Sequence, residues 1–151
     1  MRIGIVRTNL AGTGGAERYA HGLIAELAAQ GHEVHVFTTS LPAEYSVAVT
    51  PHFFTGETRA GAPFREWLQA ETARLKLDVL FTMERTWPSD VFRAGDGVHR
   101  QWFEICRRNA RGVARLWLPL RPFHRRTLEA ETQLFRPENT RLVVCNSAMV
   151  S

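Results

Sequence analysis

A glycine-rich stretch near the N-terminus holds the first residues whose types and spacing could bind a ligand. Ala11-Gly12-Thr13-Gly14-Gly15-Ala16-Glu17-Arg18 lies between a short apolar run and an amphipathic segment. That is the passage from a strand to a helix, where free backbone N–H groups and the helix dipole favour an anionic group. Glycines there let the backbone come close to a ligand; the alternative is a tight turn that needs glycine for positive φ. The dinucleotide fingerprint G-x-G-x-x-G is not met, because its last glycine, counted from Gly12, is Glu17. No Lys-Ser/Thr pair follows to make a phosphate-binding P-loop, and a nicotinamide-dependent enzyme is disfavoured with it. Glu17 suits the first turn of a helix by its charge alone, whereas Arg18 opposes the dipole and so points to a ligand or partner.

Two further groups carry chemical potential. Met83-Glu84-Arg85-Thr86 follows an apolar run that reads as a strand, and ligands of open α/β sheets bind at the carboxyl ends of strands. Glu84 and Arg85 are therefore candidate substrate contacts, the alternative being a solvated loop. Between Arg100 and Arg126 stand eight arginines against one acid, Glu104, so this segment carries +7 and the rest of the chain −3 of the net +4. Arginines alternate there with Trp102, Phe103, Leu116, Trp117, Leu118, Leu120 and Phe123. Such a mixture fits an anionic bilayer surface, with Arg107, Arg108, Arg111, Arg115 and Trp117 in contact. It also fits a single-stranded nucleic acid, or a solvated helix pair whose apolar side joins the core. A non-catalytic basic module that binds nucleic acid or membrane is thus the alternative to an enzyme.

Other residue types exclude more than they suggest. His21, His32, His35 and His52 stand singly, without the spacing of a metal set, and no metal is expected. Cys106 and Cys145 match no metal or redox spacing and read as unpaired thiols. Apolar residues make up 44% and charged residues 23% of 151, a composition suited to one folded domain. No apolar run approaches the roughly 20 residues of a membrane span. Met1 to Val6 is too short an apolar stretch for a signal peptide, so a cytoplasmic location is expected.

The elements that must position these residues follow from periodicity. Residues 2 to 6 read as a buried strand. From Ala16 to Gln30 apolar side chains recur at spacings of three and four, and Gly31 stands where a left-handed cap would end a helix. Glu33 to Thr39 reads as the second strand. A β-loop-α-β unit of this kind forces a parallel strand pair with a right-handed crossover. The spacing further predicts a strand near Tyr45 to Phe54, a helix bearing Phe64, Trp67, Leu68, Thr72 and Leu75 on one face, and strands at Asp78 to Thr82 and Asp90 to Ala94. Helices follow over 99 to 111 and 121 to 136, the second with Pro122 in its first turn, and then a strand from Arg141 to Cys145. Asn146-Ser147 reads as a capping pair for one more helix, so the chain is expected to be part of a longer protein. The fold class expected is α/β, a Rossmann-like doubly wound parallel sheet.

Several of these segments carry a family resemblance. Gly14-Gly15-Ala16-Glu17-Arg18, a helix, and then Gly31-His32-Glu33-Val34-His35-Val36-Phe37-Thr38 resemble the opening of retaining GT-B glycosyltransferases. Trp87 to Asp96 resembles the segment before the acceptor-site acid of lipopolysaccharide core glucosyltransferases. Arg121 to Phe135 is similar to their Arg- and Glu-bearing helix, and Val144-Cys145-Asn146-Ser147 to a strand end of the wider family. The likeness is strong in the first 40 residues, moderate from Trp87 to Ser147, and missing between Leu41 and Leu77.

The resemblance implies an N-terminal, acceptor-binding half of a GT-B enzyme over residues 1–151, with the donor-gripping domain elsewhere. It implies transfer of a hexose from a nucleotide sugar, a UDP-sugar, to a saccharide or lipid-linked saccharide acceptor, with retention and with no cofactor beyond that cosubstrate. Gly14 and Gly15 would face the donor diphosphate, with Arg18 beside them. Asp96 would take the place of the acceptor-site carboxylate, accepting a hydrogen bond from the attacking hydroxyl and stabilising positive charge at the anomeric carbon; its alternative is an ordinary helix N-cap. His99, three residues on, would share that work. The enzyme would lie in the cytoplasm, peripheral on the inner face of the membrane, with no nucleic-acid partner. The chain alone is expected to be inactive and open to pairing as a homodimer through uncovered apolar surface.

Overall fold

The structure, a computed structural model, describes residues 1–56, 62–95, 97–109 and 121–145. Asp96, Arg111, Arg115, Trp117 and the Asn146-Ser147 pair lie outside the described residues. Six strands form one parallel sheet: β1 (Arg2–Val6), β2 (Glu33–Thr38), β3 (Thr50–Phe53), β4 (Val79–Thr82), β5 (Ser89–Ala94) and β6 (Thr140–Cys145). Their order is β3-β2-β1-β4-β5-β6, that of a Rossmann-like doubly wound sheet. Helices α1 (Gly15–Ala29), α2 (Ala62–Leu75), α3 (His99–Asn109) and α4 (Pro122–Leu134) connect them.

The central strands are apolar because both sheet faces are covered. On one face Ile3, Ile5, Val34 and Val36 pack against Ala20 and Ile24 of α1. On the other Val6, Phe37 and Leu80 meet Phe64, Leu68 and Leu75 of α2, so the predicted helical face is the buried one. A smaller cluster joins Phe92 and Ala94 to Leu134 of α4. Gly4 sits where the second packing is tightest: a Cβ there would come within 2.6 Å of Leu77 Cδ1 and 2.8 Å of Leu80 Cδ1.

Helix α1 ends as its sequence predicts. Gly31 adopts φ +80°, its N–H donates to the Ala28 carbonyl at 3.0 Å, and His32 N–H donates to Leu27 O at 3.1 Å, a Schellman closure. The predicted strand near Tyr45 is shorter than its pattern. Only Thr50–Phe53 pairs with β2, while Tyr45, Val47 and Val49 turn their side chains onto the α1-side core. Apolar alternation marked burial there, and burial was reached without a ladder.

Two features of the topology shape the functional edge. β1 is flanked by β2 and β4, and the winding direction reverses between β1 and β4, which makes their carboxyl ends the switch point of the sheet. Strands β4 and β5 are parallel yet joined only by Met83–Pro88, far shorter than the dozen or so residues of a helical crossover. Glu84 and Arg85 lie on this connection, beside a cis Trp87–Pro88 bond. The two outer strands differ: β3 carries Pro51 at a ladder position, whereas β6 leaves Leu142 and Val144 exposed.

Candidate functional site

The carboxyl edge of β1 opens directly onto Arg7, and Arg7 organises the switch point. Its guanidinium pairs with Glu17 at 2.6 Å and with Glu84 at 3.2 Å, thereby joining the start of α1 to the loop after β4. A single oxygen of Glu84, Oε1, also accepts from the Thr8 backbone N–H at 2.9 Å and from Thr8 Oγ1 at 2.8 Å. The crevice between β1 and β4 is therefore bridged by one arginine and two carboxylates.

Glu17 stands three residues into α1 after the N-cap Gly14, and its carboxylate folds back over that cap. A hydrogen bond from Arg7, with help from its own backbone N–H, holds the Glu17 carboxyl below its ordinary value, against the opposing effect of burial. Gly14 N–H contributes in the same direction. The helix thus meets its own acid where an external anion would sit, in the manner of a capping box without a side-chain cap.

The glycines around this carboxylate are not there for unusual dihedrals. Gly14 has φ −70° and ψ 175°, which any residue adopts, and among the described residues the glycines with positive φ are Gly31 and Gly97. The neighbour that side chains at Gly14 and Gly12 would crowd is Glu17. A Cβ on Gly14 would collide with Glu17 Oε2, and one on Gly12 would lie 3.3 Å from Glu17 Cγ. At Gly15 an added Cβ meets nothing within 4 Å, so that position, exposed at the first turn of α1, borders open space.

The next residue along the β4–β5 loop serves a second arm. Arg85 donates to Glu131 Oε1 at 3.1 Å and to the Gly97 carbonyl at 3.2 Å. Glu131, on α4 and 4% exposed, also receives His99 N–H at 2.6 Å and Arg100 N–H at 3.1 Å. A buried carboxylate from another helix thereby caps α3, satisfying N–H groups that have no partner within it. His99 Nε2 lies 3.1 Å from His124 Nδ1, inside a ring cluster with Trp102, Phe103 and Phe123. Burial lowers the pKa of His99 most; Glu131 pulls the other way, and His124 and Arg85 add to the lowering.

With the geometry in view, comparison with known proteins is decisive for the family. Residues 13–151 match the family model described as Glycosyltransferase Family 4. The chain belongs to this family. A solved structure described as WaaG, a glycosyltransferase involved in lipopolysaccharide biosynthesis, superimposes with a TM-score of 0.75 at 20% identity, over 93% of this chain. The chain spans 37% of the length of that structure. No curated protein sequence matches.

In this family-4 glycosyltransferase chain the residues singled out in sequence fall into two groups. Gly14, Gly15, Glu84, Arg85 and His99 lie along the carboxyl edge, and consecutive Glu84 and Arg85 link the glycine loop on one side to His99 on the other. Arg18 is exposed on α1. Arg107 and Arg108 occupy the exposed last turn of α3, away from this network, with Arg108 3.5 Å from Glu104. No residue of α3 is buried, and Trp102 and Ile105 are each 52% exposed.

Arg7, Thr8, His124 and Glu131 escaped the reading of the sequence. Arg7 had a usable signal, since it directly follows a buried strand, and Glu131 lies in the helix likened to an Arg- and Glu-bearing one; the partners of Glu131 and His124, 25 to 46 positions away, had no local signal. His35 and His52, apparently scattered, meet at 3.1 Å between β2 and β3, with Glu33 and Glu71 at the outer nitrogens. A cleft of about 510 Å³ lined by Gln69, Lys76, Asp90, Asn139 and Arg141 lies at the opposite, amino ends of β4 to β6. Among the described residues, no helix is long and apolar enough to cross a membrane, and no three metal-binding side chains converge.

Proposed function

We propose that this chain is the acceptor-side half of a retaining GT-B enzyme. It would move a hexose from a nucleotide sugar, a UDP-sugar, to a saccharide acceptor on a lipopolysaccharide-like lipid. A second domain outside these residues would grip the nucleotide, a division supported by the 37% of the WaaG length that the chain spans. The observation that carries the reading is the open first turn of α1 at the switch point, where Gly15 borders empty space and Arg7 is held by two acids.

The chemistry follows from charge. As the glycosidic bond to the donor breaks, negative charge grows on the departing diphosphate and positive charge on the sugar. Arg7 and the N-terminal N–H groups of α1 would stabilise the former once the phosphate takes the place of the Glu17 carboxylate. Asp96 would accept the hydrogen bond of the attacking hydroxyl, with His99, Glu84 and Arg85 lining the acceptor side. Arg18 would guide the donor by charge.

The test is a kinetic one on the longer enzyme. Gly15→Val should raise the donor KM by about tenfold, the equivalent of about 1.4 kcal/mol, while the fold is kept because the new side chain meets only solvent. A donor KM unchanged in that variant would remove the diphosphate from this turn. The 151-residue chain alone should transfer no sugar.

A bilayer-facing role for the basic segment belongs to the same reading. Arg100, Arg107, Arg108, Arg125 and Arg126, with exposed Trp102 and Phe123, offer the arginine–aromatic mixture that lies on anionic lipid. Arg111, Arg115 and Trp117 would extend it. Sedimentation with vesicles containing anionic lipid, comparing the native chain with R107E/R108E, should show reduced binding in the variant. Equal binding would detach the membrane from this surface.

A further inference from the structure

Two imidazoles in van der Waals and hydrogen-bond contact are costly to place unless they divide the labour. His124 is 6% exposed on α4, and its Nδ1 lies 3.1 Å from His99 Nε2, so one nitrogen must carry the proton and the other accept it. The rings are near-parallel, 5.2 Å apart with 23° between planes, and Trp102 stacks against His99 at 5.2 Å. Phe123 stands edge-on at 5.7 Å and Phe103 packs on His124 at 5.1 Å. The His99 backbone is fixed as well, through its N–H bond to Glu131. α4 thus holds the main chain and one nitrogen of His99, and its Phe123 together with Trp102 of α3 flanks the ring.

Among the described residues His99 Nδ1 has no hydrogen-bond partner, although the side chain is only partly exposed. Beside the ring, Trp102 is 52% and Phe123 65% exposed, large apolar faces next to a polar imidazole nitrogen. That is the composition of a site for a ring with an apolar face and a hydroxyl rim. Gly97, two residues before His99, is tied by Arg85 to the switch-point loop, so the cluster belongs to the carboxyl edge of the sheet.

We propose that His124 is a positioning residue: by engaging His99 Nε2 it fixes the tautomer of His99 and presents Nδ1 to a hydroxyl of the saccharide acceptor. The proposal rests on the transferase reading for the identity of the ligand, and on this geometry alone for the pair. The coupling explains why a histidine on α4 is buried among rings of α3. It also assigns a job to a residue that touches no ligand.

The experiment has two arms. Nitrogen-15 shifts of the His99 ring in the full chain should show one fixed tautomer in the native protein. They should show the same in His124→Asn, whose amide overlays Nδ1, and rapid averaging between tautomers in His124→Phe. Averaging in the native chain, or a fixed tautomer in His124→Phe, overturns the pair as a positioning device. His124→Leu supplies the same comparison should the Phe variant not fold.

The second arm uses the longer enzyme. His124→Phe should raise the acceptor KM by about tenfold, the weight of one hydrogen bond, with the donor KM unchanged and with recovery in His124→Asn. An acceptor KM unmoved in His124→Phe overturns the ligand half. No sugar transfer by the native enzyme would instead sink the transferase reading and the ligand half with it, while the ring-nitrogen arm still judges the pair.

Discussion

Glu131 and His99 are 32 positions apart, yet a hydrogen bond of 2.6 Å joins them, from the His99 backbone N–H to Glu131 Oε1. The same carboxylate takes Arg100 N–H and the Arg85 guanidinium. Removing it strands three donors at once. Glu131→Ala should cost about 3 to 5 kcal/mol, the range for breaking a buried pair from one side. Glu131→Gln, which keeps one acceptor oxygen, should cost less. Urea unfolding of the three proteins checks both; a loss in the alanine variant below about 0.5 kcal/mol, the scale of a surface change, would contradict the capping role.

Arg7 poses a complementary case, one cation between two acids. Arg7→Met leaves Glu17 and Glu84 facing each other without their shared counter-charge, and should destabilise the fold by about 3 kcal/mol. Adding Glu84→Gln should recover part of that loss, since residues of one network do not behave independently. Strictly additive effects in the double variant would mean that Glu17 and Glu84 do not sense one another.

Acid should weaken the fold in two windows. Burial pushes His52 below its ordinary value of 6.5, with the nearby His35 adding to the effect and Glu71 opposing it. Burial lowers His99 in the same way, against Glu131. A histidine depressed in the folded state takes up its proton later than the unfolded chain does. Its contribution is therefore complete above about pH 6.5 and fades as pH falls from there through the folded-state value. The carboxylates Glu17, Glu33 and Glu71 lie below their ordinary 4.5, held there chiefly by Arg7, Arg2 and Arg74. What they contribute is present above that value and is lost as pH falls through their folded-state range. His52→Phe, which can keep the stack on Phe37, should shrink the upper window to the share of His99 and trim the part of the lower one that Glu71 owes to His52. A denaturation midpoint that is level from about pH 7.5 to 5.5 in the native chain would refute the upper one.

Glycine substitutions should diverge by position. Gly4→Ala drives a methyl against Leu77, Leu80 and Phe37, and should cost about 1 to 3 kcal/mol. Gly22→Ala places a methyl in open space on the exposed side of α1, and should stabilise by about 0.5 to 1 kcal/mol. Thermal unfolding separates the two, and equal shifts of one sign would discredit the packing described around β1.

What could be seen in the sequence was whatever is encoded locally. The Schellman end at Gly31, the buried face through Phe64, Leu68 and Leu75, and Pro122 opening α4 are all decided within a few neighbouring residues, so their spacing sufficed. The parallel, doubly wound character of the sheet followed from the β-loop-α-β unit and the family likeness together. Of the candidate site only positions were legible: Gly14, Gly15, Glu84, Arg85 and His99 sit at strand ends or first turns, where pattern already suggests exposure to ligand. Their couplings were not, because Arg7 to Glu84, Arg85 to Glu131 and His99 to His124 are products of tertiary closure across 77, 46 and 25 positions. The glycine loop is the instructive case: of its two readings, close approach of a ligand and a turn with positive φ, the second does not hold at Gly14, whose φ is −70°, and the neighbour beside the loop is a folded-back glutamate.

The unequal margins of the sheet bear on how copies of the chain can meet. Pro51 withholds a donor from the β3 side, which discourages a further strand from joining there. Among the described residues the β6 side has no proline; it exposes Leu142 and Val144, with Arg141 as its one charged side chain. Among the described residues the flank open to a further strand is therefore that of β6, so an added strand would extend the sheet from β6 and not from β3.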